Sequence, residues 1–393
     1  MTLSFLDRIL LPLRLARARR RQTFRDEAGL GPPLIVEGFD PGFPQGEAAY
    51  NSIGIDRHGV VWFAIGTKCL EAGARLYTFD PRTSSIRLFA DLDKVLGTPH
   101  AIPQGKVHVD LVPIGDAMIG ATHIGYYDPR AKVEQPGSAP GYAPYPGGWF
   151  FAAEGDRIVP LAQAPAGEGI IAMSADVRRA LLFALTWPGG LLLTLDLASR
   201  TLGNHGRAID SGRICRSLAL EPESGVVFWS DDSGTISRFD GSAITAVAKI
   251  PRGEMWRKAV WHPAHRLFYS ALWKSATLIR FDPASLTCDE IGDLGGPPAT
   301  LAFAIESDTI HALVTGPGVL RKRQVQLGSS VAHVTYDLAS GLRRSSGPLR
   351  LDDGRWITQA QSLVIDERSE YSLCWVEAAQ GQRLMLVRFA RAA

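Results

Sequence analysis

Residues 217–241 read SLALEPESGVVFWSDDSGTISRFDG: two short apolar runs separated by the turn residues PESG, then a third run ending in Phe239-Asp240-Gly241. Short runs of this kind, bounded by Gly, Pro, Asp and Ser, predict antiparallel hairpins. The closing phrase, an aromatic residue or leucine followed by aspartate, recurs as Phe79-Asp80-Pro81, Leu195-Asp196-Leu197, Phe281-Asp282-Pro283 and Tyr336-Asp337-Leu338. Comparable hairpins lie upstream, as in SIGID and VVWFAIG around Arg57-His58-Gly59, and in KAVWHPAHRLFYSAL. The unit is therefore four antiparallel strands, with innermost strands beginning near Ile53, Val109, Ile170, Ser217, Lys258, Leu301 and Leu363. Seven units of about 50 residues predict an all-β fold, a seven-bladed β-propeller of four-stranded antiparallel blades over residues 31–393. A short N-terminal helical arm, residues 1–30, precedes it.

The last unit, SLVIDER, YSLCWVEA and RLMLVRFA, supplies only three strands. The segment PLIVEG, residues 33–38, is expected to pair with its outer edge and close the ring, because an uncovered edge invites association. Insertions interrupt the second unit from Asp128 to Pro146 and the sixth from Gly316 to Ser330. Loops of this length sit at a face and often carry function.

Composition bounds what such a fold can do. With 393 residues, 46% of them hydrophobic and 21% charged, the chain has the make-up of a folded globular protein. A net charge of +2 gives no basic footprint for nucleic acid. Cys69, Cys215, Cys288 and Cys374 are far apart, which predicts reduced thiols rather than a zinc ribbon or disulfide framework. No run of 18 apolar residues predicts a membrane span. The start places its apolar stretch before its arginines, the reverse of a secretory signal, so a cytoplasmic protein without a signal peptide is expected. Leu6, Ile9, Leu10 and Leu13 follow helical spacing ahead of an arginine cluster. Residues 5–25 accordingly read either as an arm packed on the main domain or as a weak peripheral contact with an anionic membrane.

In a four-stranded blade the start of the innermost strand and the end of the second lie at one end of the sheet. GKVHVDLVPIGDAMIGATHIGYYD, residues 105–128, contains a two-residue turn at Gly115-Asp116. That turn would set His108 directly opposite His123. Asn51, Lys68, Tyr126, Tyr127, Trp187, Arg213, Arg216, Trp256, Arg257, Trp273 and Lys274 lie at equivalent ends. Aromatic faces stack on sugar rings and clustered cations attract anions, so an acidic carbohydrate is the expected partner. Some of these arginines are expected to pair with Asp231, Asp232 or Glu377 between blades, and some of the tryptophans to cement blade contacts.

At GKVHVDL, ATHIGYYD, YPGG, LLLTLDL and ISRFD the chain resembles the seven-bladed propeller group of polysaccharide lyases, including ulvan lyases, and their rhamnosidase relatives. The resemblance spans roughly residues 48–290. It implies cleavage of a rhamnose-uronate linkage by β-elimination, with His108 and His123 as catalytic histidines and Tyr126 or Tyr127 as a neighbouring site tyrosine. It also implies an arginine for the uronate carboxylate, with Arg213, Arg216 and Arg257 as candidates by position. Elimination needs that carboxylate neutralised, a base for the C5 proton and an acid for the leaving O4. Other readings stand beside it: a rhamnosidase using the same cleft, a calcium-dependent lactonase-like propeller with Asn51 and Asp231, and a non-enzymatic ligand-binding or scaffold propeller. The sequence requires no cofactor and no catalytic metal, and a structural metal ion is compatible with it.

Overall fold

A computed structural model describes residues 24–26 and 32–390, other than 129, 131, 132, 138, 297, 322, 323 and 380. The fold is all-β. Four sheets are four-stranded antiparallel meanders, spanning Ile53 to Asp91, Gly169 to Arg207, Leu218 to Lys249 and Trp256 to Asp293. A five-stranded sheet runs from Lys106 to Gln163, and a ten-stranded sheet is built mainly from the C-terminal third of the chain.

Inner strands pack in succession: Ile53–Ile55 on Val112–Ile114, Gly169–Asp176 on Ala117–His123 and on Leu218–Leu220, Leu218–Leu220 on Trp256–His262, and Trp256–His262 on Pro298–Glu306, which meets Val364–Ile365. Val364–Ile365 in turn packs on Ile53–Ile55, so the inner strands close in a ring, a propeller-like arrangement. Burial follows the same order. Val227–Ser230, a second strand, is buried throughout, whereas the outermost strand Leu202–Arg207 is exposed over its last four residues.

The recurring aspartate has a local structural cause. Asp196 Oδ1 accepts the backbone N–H groups of Ala198 and Ser199, and Asp240 Oδ1 those of Ser242 and Ala243. Asp80, Asp282 and Asp337 cap the equivalent turns through Arg82, Ala284 and Ser340. These are Asx turns between the third and fourth strands. The phrase that marks the repeat therefore carries no chemistry.

Leu34–Phe39 ties the ten-stranded sheet together. Leu34 to Val36 pair in parallel with Leu349 to Leu351, and Glu37 to Phe39 pair antiparallel with Arg388 to Leu386. Strands Thr309–Arg321 and Gln324–Asp337 run through the region expected as an insertion, pairing at Gly318 with Ser329 and at Leu320 with Val325. The extra residues there lengthen a hairpin instead of forming a loop. The N-terminal arm lies outside the described residues except for Phe24–Asp26, a strand parallel to Gly318 to Leu320. No helix among the described residues is long and apolar enough to cross a membrane.

A candidate anion-binding site at the inner strands

The hairpin after Lys106 decides the geometry. Near its turn the expected register holds, with Ile114 opposite Ala117 and Val112 opposite Ile119, and Gly115 takes the φ of +60° that the tight turn demands. Further in, Val107 faces Thr122 and Lys106 faces His123. Residues 108–111 thus oppose only Gly120 and Ala121. The direct opposition of His108 and His123 is corrected: the partner of His123 is Lys106. An excess of two residues preserves the face on which side chains emerge, where one would have reversed it. The two imidazoles still meet, with ring centroids 4.4 Å apart at 59°. Lys106, two residues before His108 and opposite His123, lies beside them.

Each histidine has a defined setting. Tyr50, just before the first inner strand, stacks on His108 at 3.7 Å and 21°. Arg216 Nη1 lies 3.0 Å from His108 Nδ1. A guanidinium can only donate, so Nδ1 accepts and the ring proton of neutral His108 sits on Nε2. That Nε2 is buried with no hydrogen-bond partner. His123 Nε2 is 3.4 Å from Glu134 Oε1, and Trp187 meets the ring edge-on at 6.1 Å. A Cβ at Gly169 would come within 2.2 Å of His123 Nδ1, so only glycine leaves room for the ring. Burial, reinforced by the neighbouring cations, lowers the pKa of His108 well below the ordinary imidazole value. Burial lowers that of His123 as well, against the pull of Glu134.

Lys106 is fully buried, with Nζ 2.5 Å from Glu134 Oε1 and 4.1 Å from the Tyr127 ring centroid. Burial outweighs the attraction of Glu134 and pushes the ammonium down to about 8. Glu134 is itself held well below the carboxylate range, because His123 and Lys106 together overcome its own burial. Burial raises the phenols of Tyr50 and Tyr127, which keeps both protonated.

On the other side of this cluster the cations lack counter-charges. Among the described residues no carboxylate lies within ion-pair distance of Arg216 or Arg257, and both Nε atoms are buried without a partner. Arg257 is 8% exposed and its guanidinium sits 5.5 Å from the Trp273 ring. Its burial, with Arg216 nearby, pushes it down to about 9. Asn51 Nδ2 donates to the Arg216 carbonyl at 3.4 Å, leaving its buried Oδ1 unpaired.

The remaining sequence candidates divide. Lys68 joins the cluster at 5.5 Å from the Tyr127 ring. Tyr126 instead packs with Ile102, Ile124 and Tyr145 in an apolar core. Arg213 is spent on Asp210, Asp231 and Asp232 at 3.3 to 3.4 Å, which also removes Asp231 from any calcium-type cluster with Asn51. Trp256 is buried with Phe281, its indole N–H directed at the Ser217 carbonyl. Lys274 is exposed, with its ammonium 5.8 Å from the Trp273 ring. Sequence reasoning missed Tyr50, Lys106 and Glu134. Lys106 was detectable as the same-face neighbour of His108 on a strand, whereas no local pattern marks Glu134 inside its insertion.

Among the described residues, three His and carboxylate clusters bring ligand atoms within 4.8 Å of one another: His108, His123 and Glu134; His262, His265 and Asp308; and His311, His333 and Glu370. The first is unsuited to a cation, because Lys106 and Arg216 already hold Glu134 and His108.

No family model matches the chain, and neither does any curated protein. Among solved structures, a chain of a mitotic checkpoint complex aligns over 92% of this chain and 96% of its own, at 11% identity and a TM-score of 0.57. A chain of a nidogen/laminin complex aligns over 58% and 84%, at 13% identity and a TM-score of 0.40. At these identities the first likeness is one of fold. It places the chain with proteins of propeller-like all-β architecture.

Proposed function

We propose that this chain is a seven-bladed propeller, the ten-stranded sheet being two blades that share Leu34–Phe39, and that it binds a carboxylate-bearing sugar at the inner strands. One observation carries the ligand reading: Arg216 and Arg257 are cations with buried Nε atoms and no carboxylate partner among the described residues. An unpaired buried charge costs several kcal/mol, and a bound carboxylate offsets that cost. Bidentate guanidinium to carboxylate bonding supplies direction as well as energy. The Nε2–H of His108 is a further donor without a partner, and the exposed Trp273 ring offers a face for a sugar.

β-Elimination on a uronate is the second reading. It draws on the neutral histidine pair, the protonated tyrosines and the two arginines, which match the acid and the carboxylate clamp that reaction needs. The base is its weak point. Arg216 occupies the His108 lone pair, and Gly169 covers His123 Nδ1. Binding without turnover therefore fits the geometry better.

Isothermal titration of glucuronate, a rhamnose-glucuronate disaccharide and rhamnose into the full chain tests both readings. Binding of the two acids alone, weakened tenfold or more by Arg216→Met and Arg257→Met, is the expected result. An unsaturated, ultraviolet-absorbing product that disappears in His108→Ala would establish elimination instead. No binding of either acid would sink the acidic-sugar reading.

A further inference from the structure

We propose that His311, His333 and Glu370 form a zinc-type metal site that staples the two halves of the ten-stranded sheet. His311 lies on Thr309–Arg321, His333 on Gln324–Asp337 and Glu370 on Ser369–Ala378. On the first two strands His333 pairs with Leu313 and His311 with Thr335. A diagonal offset of two residues puts both rings on one face. Glu370 arrives from the neighbouring unit, with Oε1 at 2.7 Å from His311 Nδ1 and Oε2 at 2.9 Å from His333 Nε2. All three donors therefore come from strands rather than loops, as a preorganised site requires.

Chemistry and surroundings favour a cation here. His311 is 7% exposed and Glu370 4%, while the His333 side chain is 16% exposed, leaving a side open to a water as fourth ligand. Two imidazoles, one carboxylate and one water make a donor set that zinc accepts in tetrahedral geometry. Among the described residues no lysine or arginine lies within ion-pair distance of Glu370; its charged partners there are His311 and His333.

The two other clusters are excluded on separate grounds. Lys106 and Arg216 crowd the one at the inner strands. In the third, His262 Nδ1 accepts the His265 backbone N–H at 3.2 Å, which puts the proton of the neutral ring on Nε2, facing the Ser307 carbonyl. His311 Nδ1 and His333 Nε2 donate to Glu370, and among the described residues no hydrogen bond holds the opposite nitrogen of either ring. Metal binding needs only that each neutral ring move its proton to the opposite nitrogen and turn its lone pair toward the ion.

The test uses the full chain, stripped with chelator and dialysed against zinc, with metal content measured by mass spectrometry and melting followed by calorimetry. One zinc per chain is expected, with a rise in Tm of about 3 °C at a zinc concentration a hundred times its Kd. Cobalt should bind with the strong visible absorption of a tetrahedral ion. His311→Ala and Glu370→Gln should abolish uptake, and His108→Ala should not. Should the alanine variant fail to fold, Glu370→Gln, which keeps the shape and one acceptor while its amide N–H can meet the other ring once that ring shifts its proton, decides alone. No metal retained by the wild type, or equal uptake by Glu370→Gln, would overturn the assignment.

Discussion

Replacing Lys106 by methionine removes an ammonium and keeps the length of its stem. The Glu134 carboxylate then loses the donor at 2.5 Å and keeps only His123 Nε2 at 3.4 Å. Breaking a buried pair on one side typically costs about 3–5 kcal/mol, because the surviving charge is left uncompensated. For 393 residues the unfolding entropy is about 0.8 kcal/mol per kelvin, so Tm should fall by about 4–6 °C. Glu134→Gln should produce a fall of similar size by stranding the ammonium. Lys106→Met combined with Glu134→Gln removes both charges and should recover to within about 2 °C of wild type, since neither charge is then left buried and uncompensated. Calorimetry on the four proteins completes the cycle. Two small, additive shifts would refute the claim that these groups act as a buried pair.

Other outcomes follow from the same structure. The folded state holds Lys106 at about 8 against an ordinary value of 10.5, so between these pH values the unfolded chain binds more protons and stability rises with pH. Urea midpoints of wild type minus the double variant should therefore climb from pH 8 to about 9.5; a flat or falling difference would contradict the depressed ammonium. Above about pH 10 the raised tyrosines act in the opposite sense, because unfolding frees them to ionise. Gly169→Ala should perturb the His123 ring, read as a shifted imidazole resonance and lower Tm, since its Cβ would fall 2.2 Å from Nδ1. Deleting residues 1–40 removes the strand that pairs with both Leu349 to Leu351 and Leu386 to Arg388 and should sharply lower Tm, whereas deleting 1–23 leaves every described pairing in place. Equal melting of the two truncations would argue against that role.

Strand periodicity and turn chemistry are local properties, and the sequence carried them. The hairpin at Gly115-Asp116 was readable because a positive φ there calls for glycine, and the Asx turns were readable as a repeated phrase even though their structural cause was not. Local pattern also brought His108 and His123 onto one face. It could not decide their partners, because the two residues that bulge between Val107 and Val112 are set by packing against neighbouring sheets and leave no local signature. Arg213, Arg216 and Arg257 look alike in sequence. Only the tertiary structure separated them, by surrounding Arg213 with aspartates and leaving the other two without a carboxylate partner among the described residues. Glu134 reaches Lys106 from 28 residues away in sequence, and Glu370 reaches His311 and His333 from 59 and 37. Contacts of that range depend on how sheets close around a common centre, so the chemistry of both clusters was decided by the ring and not by any stretch of chain within it.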